Sequence, residues 1–130
     1  MARALFEATV APRERLEDGE RLRRRGDYQR CYRHGRRRSG ALVILYAHDN
    51  DLGRFRLGVT VTRKVGNSVV RHRMKRRVKE IYRRWPERRE LPAVDLVVHL
   101  KPPAARGSFD ALRDELRGLL GSLSRRRRGR

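Results

Sequence analysis

The sequence predicts one small domain of the α/β class, of the α+β kind: a mixed central sheet with helices packed on it. Three observations predict it. The chain has 130 residues, about the length of one domain with one modest core. Three apolar, β-rich segments are interspersed with three segments of helical periodicity, in the order helix, strand, strand, helix, strand, helix. No internal repeat breaks that order, and helices laid on one sheet are the simplest way to bury all the apolar faces.

The first helix falls in "GDYQRCYRHG", where Tyr28, Cys31 and Tyr32 share a face at i, i+3, i+4 spacing and Gly35 ends the run. "ALVILYAHD" is an apolar strand. "RFRLGVTVT" alternates, with Phe55, Leu57, Val59 and Val61 to one side and Arg56, Gly58, Thr60 and Thr62 to the other. The turn residues "DNDLG" between these strands predict an antiparallel connection. In "GNSVVRHRMKRRVKEIYRRW", Val70, Met74, Val78, Ile81 and Trp85 form one stripe at 100° per residue, bordered by Tyr82, which predicts a helix over 68–85. "AVDLVVHL" is a third strand, with Val94, Leu96, Val98 and Leu100 on one face. "SFDALRDELRGLLGSL" is an amphipathic helix: Phe109, Leu112, Leu116, Leu119 and Leu123 make its stripe, Ser108 is its N-cap, and Asp110 lies in its first turn. Residues 1–20, charge-rich and weakly periodic, are expected to be a flexible arm. "SRRRRGR" at 124–130 is expected to be a basic tail, leaving 21–123 as the domain.

Charge narrows the function. The formal net charge is +20, and the stretch from Arg63 to Arg89 holds twelve basic and two acidic residues, half of that excess. With the apolar stripe turned inward, Arg71, Lys75 and Lys79 form one outer row and His72, Arg76 and Arg83 a second, while Arg73, Arg77 and Arg84 cover the remaining arc. Like charges at i, i+4 cost about 0.2–0.5 kcal/mol each, and a surface chosen for stability mixes the signs. A heavy use of arginine throughout the chain explains part of the pattern but not its concentration. The segment reads as a grip on nucleic acid. It offers cations almost exclusively, without the Asn, Gln or Ser that read base edges, so it suits phosphate contacts that position a polymer. "RKVGNS" before it adds a turn whose amides, with the helix N-terminus, are a candidate phosphate cradle.

Other classes lack residues. Cys31 is the single cysteine, so no intramolecular disulfide forms and a reducing, cytoplasmic setting is expected. No apolar run reaches the ~20 residues of a membrane span, and no secretory signal is expected at the N-terminus. His34, His48, His72 and His99 show no metal-ligand spacing, so no metal site and no catalytic residue of the chain's own is expected. Asp95 has no neighbour in sequence that suggests a carboxylate pair. Tyr28, Tyr32 and Tyr46 are candidates either for core packing or for stacking on unpaired bases. A ribosome-associated RNA-binding protein without enzymatic role shares the charge and does not require an aromatic cleft; an architectural DNA-binding protein would bind duplex DNA tightly.

At these residues a family resemblance emerges. "RLGVTVTRKVGNSVVRHRMKRRVKEIYR" resembles the signature region of the bacterial ribonuclease P protein component, an Arg-Asn-Arg core preceded by Gly-Asn and followed by Lys-Arg. "RLRRRGDYQRCYRHG" resembles that family's basic lead-in and first helix, and "DLVVHLKPPA" its last strand and Pro-containing turn. The resemblance covers roughly residues 21–123.

The resemblance implies a small α/β sandwich with a left-handed βαβ crossover, contrary to the usual right-handed rule, as in the second domain of ribosomal protein S5. The crossover would run from strand 55–62 through helix 68–85 to strand 94–100. It implies the accessory subunit of an endonuclease that removes the 5′ leader from precursor tRNA, monomeric on its own, with a catalytic RNA subunit and Mg²⁺ doing the hydrolysis. Carried over by position, Arg71, His72, Arg73, Lys75, Arg76 and Lys79, with Lys64 and Asn67 in the flanking turn, would contact the RNA subunit. Tyr28, Tyr32, Ile44 and Tyr46 would line a cleft for the single-stranded leader. The chain departs from the family at His72, where Asn is usual between the two arginines, and at Lys79, where Arg is common; imidazole lacks an amide's hydrogen-bond geometry, and Lys lacks Arg's two-pronged reach.

Overall fold

A computed structural model describes residues 18–128. Helix α1 spans Arg25–His34, and strands β1 (Arg36–Ser39), β2 (Val43–Asp49) and β3 (Arg56–Val61) follow. Helix α2 (Ser68–Arg83) leads to β4 (Val94–Leu100), then to the short α3 (Pro103–Arg106) and to α4 (Phe109–Arg128). Single 3₁₀ turns occupy Asp18–Glu20 and Pro86–Glu90. Most of the predicted arm lies outside the described residues. At the other end the α4 backbone continues to Arg128, through residues expected to form the tail.

The four strands lie in the order β1-β2-β4-β3. β1 and β2 are antiparallel, β2 and β4 are antiparallel, and β3 and β4 are parallel. β2 and β3 therefore run in opposite directions, as the intervening turn predicts, but they do not pair: β4 lies between them. The α2 crossover carries the chain from the end of β3 back to the start of β4. β1 was not foreseen. Its sequence, RRRS, has no apolar alternation, and the strand exists because its backbone continues the ladder beside β2.

One face of the sheet carries the main core. Val43, Leu45 and Ala47 of β2, Leu57 and Val59 of β3, and Val94, Leu96, Val98 and Leu100 of β4 meet Met74, Val78, Ile81 and Tyr82 of α2 and Leu112, Leu116, Leu120 and Leu123 of α4. The α2 stripe is as expected. On α4, Leu120 rather than Leu119 completes the buried row, and Leu119 packs at its border. Ser108 caps this helix, accepting from the Ala111 N–H at 3.0 Å. Glu115 ties α4 to the sheet by accepting three backbone N–H groups, from Ala41, Leu42 and Val43 at 2.8, 2.8 and 2.9 Å.

The opposite face carries α1, over β2 and β4. Leu22, Cys31 and Val97 are buried there, with Tyr28 and Tyr46 packed on them. Beneath the start of α1 the Asp95 carboxylate, 4% exposed, receives Arg56 through Nε (2.8 Å) and Nη2 (2.7 Å) and Asn50 through Nδ2 (2.8 Å). The Arg56 guanidinium also reaches Asp27 at 3.5 Å, and Asp27 pairs with Arg30. Asp95 thus shares one guanidinium with a second carboxylate, a pairing invisible in sequence because its members lie far apart along the chain.

Candidate nucleic-acid interface

Asn67 starts α2. Its backbone is extended, and its side-chain oxygen accepts the Val70 N–H at 3.0 Å. The Arg71 guanidinium turns back to donate to the Gly66 carbonyl at 3.0 Å. Asn67, predicted as a contact residue, is thus an N-cap whose oxygen is already engaged, and the expected phosphate cradle has its Val70 amide occupied. Lys64 in the preceding turn is exposed.

Because Met74, Val78 and Ile81 face the sheet, the cations are pushed outward. His72, Arg73 and Arg76 are exposed; Arg71, Lys75 and Lys79 are half-buried along the margin of the helix. Burial, then Arg21 and Lys75 nearby, lowers the Lys79 pKa. Glu80 is engaged by Arg83 at 3.8 Å and Arg84 at 3.2 Å, so it offsets charge only at the C-terminal end of the helix. Arg71, His72, Arg73, Lys75 and Arg76 have no acid among their ion-pair partners in the described residues. The helix presents positive charge along most of its length.

The α1-bearing face is different in character. Tyr32 and Tyr46 meet edge to face with centroids 4.7 Å apart. The Tyr32 hydroxyl lies 3.4 Å from His99 Nδ1, and the two rings are 6.3 Å apart. Tyr28 donates to the Leu22 carbonyl at 3.3 Å. Its ring passes so close to Gly58 that a Cβ there would come within 2.8 Å of it; the glycine keeps the groove wall open to the ring. Ile44 sits beside His99 in the β2–β4 register, half-buried on the same face. The structure therefore brings Tyr28, Tyr32, Ile44 and Tyr46 onto one surface. Burial raises the pKa of Tyr28 and Tyr32 and lowers that of His99, so at neutral pH the floor is uncharged and can hold unpaired bases by stacking.

Sequence reasoning left two residues out of this surface. His99 completes the aromatic floor; the alternation of β4 away from Val98 and Leu100 was the signal for it. Arg37 lies opposite Tyr46 in the β1–β2 register and adds a cation at the groove's outer strand. It went unnoticed because β1 did.

An aromatic groove on one side of a sheet and a cationic helix on the other define a small α+β nucleic-acid-binding protein. The ribonuclease P family matches residues 16–124, and the chain belongs to the family of ribonuclease P protein components. The ribonuclease P protein component of Alkaliphilus metalliredigens is 33% identical over 105 residues, 81% of this chain and 94% of that protein. That of Clostridium novyi is 41% identical over 70 residues, 52% of this chain and 62% of that one. The RNase P protein of Staphylococcus aureus superposes with a TM-score of 0.72 at 27% identity, over 78% of this chain and 93% of that chain. The RNase P protein from Thermotoga maritima gives 0.69 at 31% identity, over 78% and 94%. Membership implies an RNA partner within an endoribonuclease that processes tRNA. Among the described residues, no helix is long and apolar enough to cross a membrane.

Proposed function

We propose that this chain is the protein subunit of a ribonuclease P, acting in the cytoplasm as a monomer that joins a catalytic RNA subunit and promotes removal of the 5′ leader from precursor tRNA. The observation that carries the proposal is the division of one sheet into two sides with different chemistry. On one side α2 offers guanidinium and ammonium groups with almost no hydrogen-bonding side chains suited to base edges, which fits a folded RNA recognised by its backbone. On the other, Tyr28, Tyr32, Tyr46 and Ile44 form an uncharged surface, which fits single-stranded nucleotides whose bases stack on aromatic rings. Holding both at once places a leader beside the RNA subunit, and binding two sites through one rigid body raises the effective concentration of the second.

The hydrolysis itself is assigned to the RNA subunit, where Mg²⁺ supplies Lewis-acid charge. Among the described residues no group of three or more His, Cys, Asp and Glu lies together. The chain's own residues bind and orient.

The test is cleavage of a precursor tRNA at low Mg²⁺ by a bacterial ribonuclease P RNA, with and without the protein. Cleavage at the mature 5′ end that needs both components supports the proposal. Tight RNA binding without rescue of cleavage would overturn it in favour of a ribosome-associated RNA-binding protein.

A further inference from the structure

His99 stands apart from the other residues of the groove floor, which offer aromatic faces, an aliphatic side chain and hydroxyls. In the sheet register it lies between Ile44 of β2 and Thr60 of β3, on the face turned away from the main core. Its ring stands edge to face with Tyr32, at 84° and 6.3 Å. Tyr32 is in turn braced against Tyr46, with centroids 4.7 Å apart. Packing holds the imidazole in place before any nucleotide arrives.

The hydrogen bonds decide where its proton sits. Nδ1 is 3.4 Å from the Tyr32 hydroxyl. Burial raises the Tyr32 pKa, and a side-chain hydrogen bond with Thr60 lowers it. A bond that lowers an acid's pKa is one donated to its oxygen, so the Thr60 hydroxyl occupies an acceptor position of Tyr32. The Tyr32 proton is left for Nδ1. A neutral imidazole accepts at one nitrogen and donates at the other. The relay from Thr60 through Tyr32 to His99 therefore puts the ring's proton on Nε2. Nε2 has no hydrogen-bond partner among the described residues, yet it is not one of their buried unsatisfied atoms, so it reaches the surface.

Stacking holds an unpaired base with little regard to its identity. A fixed N–H beside the stack discriminates. Cytosine and adenine carry a bare ring nitrogen at the centre of the Watson–Crick edge, and it accepts a hydrogen bond. Uracil and guanine carry an N–H there, and two donors that meet leave both unsatisfied. We propose that His99 is a specificity-determining residue: its Nε2–H donates to the Watson–Crick edge of the leader nucleotide stacked on Tyr32 and favours cytosine or adenine over uracil or guanine. Tyr32 then positions as well as stacks, because its hydroxyl sets the tautomer. This deepens the function proposed above and rests on it for the identity of the leader.

The test compares cytosine with uracil, two rings of one size that differ at the edge. One leader position at a time is varied in precursor tRNAs bound by the full chain assembled with a bacterial ribonuclease P RNA. Only the ratio between the two bases within one variant is read, so effects of a substitution on folding or assembly cancel. The proposal predicts one position where cytosine binds about 2- to 12-fold more tightly, the range of a single neutral hydrogen bond. His99→Phe keeps a flat ring without the donor and should abolish the preference. His99→Gln keeps an N–H and should retain part of it. Tyr32→Phe keeps the stacking face, frees the tautomer and should weaken the preference. A wild type indifferent to the base at every position overturns the proposal, as does a preference that survives His99→Phe or that His99→Gln loses just as completely. A preference left whole by Tyr32→Phe overturns the relay. The same ratio is measured for short single-stranded cytidine and uridine oligonucleotides on the protein alone. A His99-dependent preference there, in a protein that fails to support precursor cleavage, defeats the function proposed above and leaves the base-reading residue standing.

Discussion

Arg56 and Asp95 face each other across the parallel β3–β4 pair and form a two-point ion pair, at 2.8 and 2.7 Å, whose carboxylate is almost wholly buried. The bond to Asp95 is also the main reason the Arg56 pKa is raised. Asp95→Ala strands a guanidinium whose other acid partner among the described residues is Asp27, at 3.5 Å. Removing one member of a buried pair costs about 3–5 kcal/mol. The low end is expected here, because Asp27 and some solvent remain, and urea unfolding of the variant measures it. A loss below about 1 kcal/mol would show that the network is not what seats α1.

Tyr32→Ala should weaken binding of a single-stranded leader by ~1–3 kcal/mol if its ring stacks on a base. Tyr32 is 38% exposed, so little core is lost and stability should hardly change. Comparing a precursor tRNA with mature tRNA separates leader contacts from the rest. Equal loss for both would remove Tyr32 from the leader site.

Gly58→Ala should act on the same groove from beneath. The new methyl would meet the Tyr28 ring at 2.8 Å, and the ring must swing away. Overpacking of this kind costs about 1–3 kcal/mol. Unlike Tyr32→Ala, this variant should lose both Tm and leader affinity.

His99 makes stability depend on pH. Burial lowers its folded pKa below the 6.5 of the free side chain, so between the two values the unfolded chain binds more protons. Its contribution is complete above pH 6.5 and is lost as the pH falls through the folded value. His99→Gln should flatten the fall in stability on that acid side. A wild-type profile that the substitution leaves unchanged would remove His99 as the source.

Cys31 should be inert. It is fully buried, donates weakly to the Asp95 carbonyl at 3.4 Å, and its pKa is pushed up to about 12 by burial first and by Asp95 and Asp27 next. Thiolate is the reactive form, so alkylation at pH 8 should be negligible in the native protein and prompt in urea. Rapid native labelling would show that α1 lifts off the sheet.

Much of this could be read from residue order. The spacing of Val70, Met74, Val78 and Ile81 puts the cations of α2 outward, and the alternation of Phe55, Leu57 and Val59 places Gly58 and Thr60 on the opposite face. Local periodicity carries that information. Pairing order is different, because "DNDLG" specifies a reversal of direction and says nothing about which strand lies alongside. The near-continuous apolar run of β4 was the available sign of a strand covered on both faces. The Asp27–Arg56–Asp95 network was not legible at all. It depends on β3 pairing with β4 beneath α1, which joins segments that no local pattern relates.

β4, the last strand to leave the ribosome, lies between two strands made before it. Until Val94–Leu100 is available, β2 has only the short β1 beside it, and β3 has only the bridge at Arg21. The charged helix is synthesised in that interval, with no finished floor on which to bury Met74, Val78 and Ile81. Vectorial synthesis therefore delays the seating of α2 until the sheet closes, and a chain stopped short of residue 94 should carry the cations of that helix without a fixed arrangement.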